Sequence, residues 1–542
     1  SGHDCRLMRN TAYLLDIQVL SPEDIEANLH LQDWWAEETV DGDIPGVSFT
    51  VDKTEVPVIP YGVTDPAPAF EVVPDDPAFL DISLVDKDYK SVDQSNGFVL
   101  WYKLPKDGSL TKAPSDNRIR INVTNMGLRM FFTTVKNGNP GGFFRVTCGR
   151  STRYIPIITP KYVRTDEMFN KSMTSNCYIA EKEGGYRFAG TVMGNGADGL
   201  PPAVQASMLP YNANGYLMGA TPSPVIAPKS AKLLWQDVDG LITQVGFDTN
   251  TTSRGDVVFY VSGTKGPGNA VISVYDKADP NDPAAKVLWS WHIWCAPRPV
   301  DIPVKPEAGA ELVAGEKYIF MDRNVGAEDS KEVGMHYQYG RKDPYIDYET
   351  IGHEYIYDLL GRDVTALLKT VSDPPEQYEK IRFPLTYYAG IHSMDGPSTG
   401  KSSGLWGTDR TAYKNVISDD VKTIYDPCPP GYKVPDMRPY KVVRDKFFLT
   451  GKYDFKVSNS FVSFVSFQTS PRTLYFPNGG RYYVGERGGS ILYAWTTGVV
   501  TPNKSHIVFT CTYNDSKKEF DVYNMNAGIA DESFTQVRCI SE

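Results

Sequence analysis

The chain has 542 residues, 12% of them aromatic, with 46 glycines, 39 prolines and a formal net charge of -11. At about 150 residues per domain this length predicts three or four domains, and an acidic balance without blocks of like charge disfavours a nucleic-acid partner. No apolar run approaches the roughly 18 residues a membrane helix requires, and plentiful Gly and Pro without long helical periodicity predict a mostly β protein.

The opening Ser1-Gly-His-Asp4 has neither the basic nor the apolar region of a signal peptide and reads as a trimmed end. Thr11 to Leu20 reads as a strand. Ser21-Pro-Glu-Asp-Ile-Glu26 reads as a helix start, with Ser as N-cap, Pro at the first helical position and acids in the first turn. Short alternating segments follow at 46–51, 98–104, 118–123, 128–135 and 143–147, separated by Gly, Pro, Asp or Asn; such spacing implies a sandwich or small barrel. Prolines in Tyr154 to Pro160 suggest an edge or a linker.

A second unit opens at Ser175-Asn-Cys-Tyr-Ile-Ala180 and continues through strands at 232–235, 241–247, 256–261, 270–275 and 287–294. The last, Val-Leu-Trp-Ser-Trp-His-Ile-Trp, leaves almost no polar face, so it should be covered on both sides. Four prolines in 296–306 mark an interdomain linker. In Tyr425-Asp-Pro-Cys-Pro-Pro-Gly-Tyr-Lys-Val-Pro435, four more prolines rule out a helix or a central strand and predict a locked loop.

Seven cysteines are spread widely and never form Cys-x-x-Cys. The candidate pairs are Cys177 with Cys295 and Cys428 with Cys539, and free buried thiols are the competing reading of each. Pairing would favour an exported compartment.

The later motifs include Lys317-Tyr-Ile-Phe-Met-Asp-Arg-Asn-Val-Gly-Ala327, Gly334-Met-His-Tyr-Gln-Tyr-Gly-Arg-Lys-Asp-Pro344, the proline-rich loop and Tyr475-Phe-Pro-Asn-Gly-Gly-Arg481. They continue with Ser490-Ile-Leu-Tyr-Ala-Trp495 and Phe534-Thr-Gln-Val-Arg-Cys-Ile540. Together they resemble the C-type-lectin-like module, of the Fibrobacter succinogenes major paralogous type, that ends many Bacteroidetes surface proteins, fimbrial tip-like subunits among them. The unit from Ser175 is similar to the β domain preceding that module, and the first 165 residues resemble a fimbrillin-like sandwich. The resemblance implies a mainly β protein with an α+β C-terminal module: transthyretin-like sandwiches at 1–165 and 166–304, then a lectin-like domain at 305–542. It further implies a non-enzymatic adhesion protein at the cell surface or outer membrane, exported by a lipoprotein route. Its partners would be other pilus subunits, joined by strand donation, and a protein or glycan surface ligand. A chain ending on a module strand at Val537 to Ile540 would accept a strand without donating one. The alternative is an outer-membrane carbohydrate-binding or carbohydrate-modifying protein.

No cofactor and no metal is expected. Gly400-Lys-Ser-Ser-Gly404 matches the G-x-S-x-G pattern without the flanking strand and helix a nucleophile at Ser402 requires. The histidines lack metal spacing, and His292 among tryptophans reads as a core or interface histidine. Asp86, Asp88 and Asp93 read as a solvated turn, since the remaining positions of a calcium loop are wrongly filled. Signatures of calcium-dependent sugar binding are absent from the third unit. Its candidate ligand-binding residues are Tyr337, Tyr339, Arg341, Trp406, Tyr482, Tyr493 and Trp495, because rings with polar edges suit protein or glycan faces. Arg254-Gly-Asp256 reads as a chance match in a hairpin turn.

Overall fold

The computed structural model describes residues 12–21, 24–32, 48–105, 108–135, 141–170, 174–195, 225–249, 255–305, 317–346, 355–371, 383–388, 406, 422–448, 450–458, 461–469, 472–483, 486–488, 491–501, 505–514, 519–521, 528–529 and 533–542. The chain divides into two compact units, Ser1–Val47 and Ser48–Glu542. It is mainly β, with one α-helix, Met437–Val443, among the described residues.

The first unit contains an antiparallel pair of strands, Ala12–Ser21 and Asp24–Gln32, in register from Ala12 opposite Gln32 to Ser21 opposite Asp24. The helix expected from Ser21 is therefore absent. The cap signal is local, whereas Ile25-Glu-Ala-Asn-Leu-His-Leu-Gln32 alternates apolar and polar residues with the period of a strand.

The second unit begins with two five-stranded sheets. One runs in the order Phe49–Val51, Ala67–Pro74, Leu128–Thr134, Phe98–Lys103, Leu110–Lys112; the other runs Val56–Pro57, Ser151–Ile158, Gly142–Cys148, Ala78–Asp86, Arg118–Val123. Alternation fixes which side faces inward: Leu80, Ile82 and Leu84 are buried, and Phe79 between the strand's start and Leu80 is half exposed. Phe144 meets Phe70 and Phe98 of the opposite sheet edge-on, at 5.1 and 6.0 Å, which makes the pair a sandwich. Ser151–Ile158, expected at an edge, has neighbours on both sides, although Val56–Pro57 covers only its last two residues.

The second pair of sheets has four strands each: Tyr162–Arg164, Gly184–Ala189, Asp256–Val261, Ile242–Asp248, and Cys177–Ile179, Val287–Cys295, Gly268–Tyr275, Ser230–Gln236. Phe188 of one contacts Tyr178 and Trp291 of the other at 4.4 and 5.1 Å. Every residue of Gly268–Tyr275 is buried, and so are all three tryptophans of Val287–Cys295. Trp291 faces the sandwich interior, whereas His292 and Trp294 reach residues of the next set of strands, so this strand is indeed covered on both faces.

The remaining strands include a four-stranded sheet in the order Asp301–Val304, Tyr318–Met321, Ile540–Ser541, Tyr432–Lys433, together with a larger sheet and two small ones. Part of the expected linker is therefore strand. Pro303 is tolerated because Asp301–Val304 lies at the sheet edge, and Ile302 and Val304 join the core with Phe320 and Tyr440. The expected strand Val537 to Ile540 is replaced by two short ones, Phe534–Gln536 and Ile540–Ser541.

Candidate functional site

The proline-rich loop is built around a buried ion pair. Asp426 and Lys422 are almost fully buried, and Lys422 Nζ donates to Asp426 Oδ1 at 2.7 Å and to the carbonyls of Cys428 and Tyr432 at 2.7 and 2.8 Å. Asp426 also accepts from the backbone N–H groups of Cys428 and Val434, at 2.7 and 2.8 Å. Prolines supply no donors to this loop, so one carboxylate and one ammonium replace the ladder that a strand would have provided. Cys428 is bonded to Cys539 with Cα atoms 6.0 Å apart, tying the loop to the strand Ile540–Ser541.

That loop is joined to the second sandwich. Asn176 Nδ2 donates to the carbonyls of Ile424 and Asp426 at 2.7 and 2.9 Å, while its Oδ1 accepts from Trp289 Nε1 at 2.9 Å. The Ser175 hydroxyl donates to the Cys428 carbonyl. Gly194 (φ 44°) lies so close to the Ile424 carbonyl that a β-carbon would overlap it.

A second buried network lies on the same strand, Val287–Cys295. Asn269 Nδ2 donates to Asp237 Oδ2 at 2.9 Å and to the Gly326 carbonyl at 3.1 Å, which leaves Asn269 Oδ1 as an acceptor for His292 Nε2 at 2.9 Å. His292 therefore carries its proton on Nε2, and Nδ1 accepts from the Tyr337 hydroxyl at 3.0 Å. Burial pushes this imidazole down to about 3 and holds the Tyr337 phenol well above its ordinary range. Beside it, Lys342 Nζ donates to Asp343 at 2.8 and 2.9 Å and to the Ser290 carbonyl at 3.0 Å, and lies 4.6 Å over the Trp289 ring. Burial pushes the Lys342 ammonium down to about 8, against the pull of Asp343.

The candidate ligand-binding residues fall mostly within this interior. Tyr337, Tyr339, Trp406 and Trp495 are each at most 1% exposed. Trp406 packs against Tyr339 at 4.9 Å and Trp495 at 6.1 Å, and Trp495 Nε1 donates to the Tyr337 carbonyl at 2.6 Å. Arg341 donates to the carbonyls of Phe383, Pro384 and Thr386, so its fork holds a backbone segment. Tyr493 is half-buried, with Arg481 5.8 Å from its ring centre. Tyr482 lies on the strand Arg481–Tyr483, and its side chain lies outside the described residues. The rings of Tyr337, Tyr339, Trp406 and Trp495 are therefore interior and not the exposed rings expected of them; aromatic area is worth most when buried.

The candidate pair Cys177 and Cys295 is unbridged, and both thiols are buried, as are those of Cys148 and Cys511. Register explains this: Cys177 is opposite His292 on parallel strands, which leaves Cys295 three residues along. At about 3.3 Å per residue this is roughly 10 Å, beyond disulfide reach. Burial raises both thiols, which are poor nucleophiles as a result.

Ser402 lies outside the described residues, as does Arg254. Asp256 of the Arg-Gly-Asp match is buried and held by Arg164 at 2.8 Å and Arg187 at 2.7 Å, so it is committed to the fold. Asp86 accepts from the N–H groups of Asp88 and Lys90, and Asp93 caps the turn Gln94–Asn96. Among the described residues no group of three or more His, Cys, Asp or Glu side chains could hold a metal ion, and no helix is long and apolar enough to cross a membrane.

Sequence reasoning missed Asn176, Lys422, Asp426, Lys342 and Asp343, the residues on which this junction depends. The Asp426-Pro427 dipeptide was a usable turn signal, but nothing local named its partners. Comparison with family models and with curated proteins found no match.

Proposed function

We propose that this chain is an exported cell-surface adhesion protein of the fimbrial tip-like kind, acting by contact and not by turnover. The observation that carries this reading is the buried junction between the second sandwich and the final set of strands. A hinge would let the terminal part swing; here, hydrogen bonds from Ser175 and Asn176 to the proline-rich loop, and from Tyr337 to His292, bind the two together. The Cys428–Cys539 bond supports an oxidising, exported compartment. To the same reading belong transthyretin-like sandwiches at 1–165 and 166–304, a lectin-like module at 305–542, and assembly by strand donation. Ile540–Ser541 is paired on both sides, with Tyr318–Met321 and Tyr432–Lys433, so it is not itself a strand free for donation.

Deletion of the gene from its own cell tests the proposal, scored by adherence to host and bacterial surfaces with the purified full chain as competitor. Adherence should fall on deletion, and the purified chain should compete with the parent cell. Unchanged adherence would overturn the reading, and so would release of hydrolysis products from glycans, which would favour the carbohydrate-modifying alternative.

A further inference from the structure

The solvent side of the second sheet of the first sandwich carries an aromatic cluster that none of the preceding readings uses. Tyr89 stacks on Phe143 with ring centres 5.3 Å apart and planes 3° from parallel. It also meets Tyr154 edge-on at 5.0 Å. Tyr89 is 48% exposed and Tyr154 44%. These rings pack on one another, with Phe143 directly opposite the buried Val85, and Tyr89 is held at φ 62°, a left-handed conformation costly for a bulky side chain. Exposed aromatics kept at a strained position point to use rather than to stability.

Arg145 stands beside the rings. It is directly opposite Tyr154 on one neighbouring strand and Ser83 on the other. Arg118 and Arg120, farther along the same face, both pair with Asp81. Arg145 also acts on Asp81 through its charge, but its side chain makes no hydrogen bond among the described residues, and its Nε is buried without a partner. Ser83, 2% exposed, has an equally unpartnered hydroxyl. Arg118, Arg120 and Arg145 share Asp81 on this face, with Asp116 beside Arg118 and Asp86 and Asp88 in the Tyr89 turn, so the positive charge is concentrated around Arg145 and the strand Arg118–Val123.

We propose that this face binds a carboxylate-bearing sugar, its ring against Tyr89 and Tyr154 and its carboxylate on the Arg145 guanidinium. Aromatic rings with hydroxyl edges suit the apolar face and polar rim of a pyranose, and the planar fork of arginine matches a carboxylate. A saccharide fits better than an acidic peptide, because a peptide strand would add to the backbone edge of Ser151–Ile158 that Val56–Pro57 leaves uncovered, whereas the rings and the Arg145 fork stand on the face of the sheet. This assignment goes beyond the adhesion reading: it names a ligand class and a face outside the final set of strands, and it makes or breaks no covalent bond.

Titration calorimetry of the full chain tests it, with tri-galacturonic acid and 3′-sialyllactose as acidic probes, galactotriose and lactose as their neutral counterparts, and hexaglutamate as the peptide control. At least one acidic saccharide should bind saturably, at least tenfold tighter than its neutral counterpart. Arg145→Gln and Tyr154→Ala should each weaken it at least tenfold. Tyr89→Asn, compatible with the left-handed backbone, should do the same. Phe79→Ala, equally exposed at 50% on the same sheet, should leave it unchanged, and thermal melts establish that each variant is folded. Failure of both acidic saccharides to bind would overturn the proposal, as would equal binding of the neutral ones, parent-like binding by folded Arg145→Gln, or binding of hexaglutamate alone. None of these outcomes alters the adherence result, so the two readings fail separately.

Discussion

Asn176 donates to the backbone carbonyl of Asp426 across 250 residues of sequence. The same side chain also holds Ile424 and accepts from Trp289, so one amide satisfies three groups that would otherwise be buried without partners. Asn176→Ala should cost about 2–4 kcal/mol, because each orphaned polar group carries a desolvation penalty of roughly 1–3 kcal/mol. Urea unfolding followed by tryptophan fluorescence checks this.

The buried ion pair makes a sharper case. Lys422→Met leaves the Asp426 carboxylate buried without its cation and should destabilise by about 3–5 kcal/mol. Asp426→Asn, which keeps an oxygen for the backbone donors of Cys428 or Val434, should cost less than Asp426→Ala. Denaturation midpoints of the three variants establish the order.

Acid should loosen the junction. His292 is pushed down to about 3 when folded, below the value near 6.5 of the unfolded chain. The unfolded state therefore binds more protons between these values, and the contribution of His292 is complete above pH 6.5 and falls with pH through that window. The slope is about 1.4 kcal/mol per pH unit where the unfolded imidazole is fully protonated. His292→Gln should be less stable than the parent at pH 7.5 and lose less stability on acidification to pH 4.5, measured by urea unfolding at each pH.

Reduction should act on the loop and leave the buried thiols alone. Cys428 and Cys539 are 111 residues apart in sequence, and the chain-entropy model gives about 4–5 kcal/mol for a loop of that size. Melting with and without reductant should show the loss, and Cys428→Ser should reproduce it. In the native, oxidised chain, Cys148, Cys177, Cys295 and Cys511 should resist a thiol reagent.

What the sequence disclosed was whatever depends on near neighbours. Alternation locates Arg118–Val123, a short apolar run locates Asp256–Val261, and the apolar run through Trp289, Trp291 and Trp294 predicts that its strand is covered on both faces. A cap motif at Ser21 misled, because propensity at a helix start is weaker than strand alternation over eight residues. Around Tyr337 the sequence offers aromatic residues without saying which rings pack on each other, and Tyr339, Trp406 and Trp495 do. Least legible was the junction: a buried lysine such as Lys342 looks like a surface lysine until Asp343 and Ser290 are seen around it. Arg145 and Tyr154 became a site only through register.

Hydrogen exchange of the full chain tests the junction most directly. The backbone amides of Cys428, Val434 and His292 should share one opening free energy and exchange together, and Asn176→Ala should lower all three by the same amount. Rapid exchange at Cys428 and Val434 while His292 stays protected would mean that the proline loop opens independently of the sandwich, and the rigid junction would not exist.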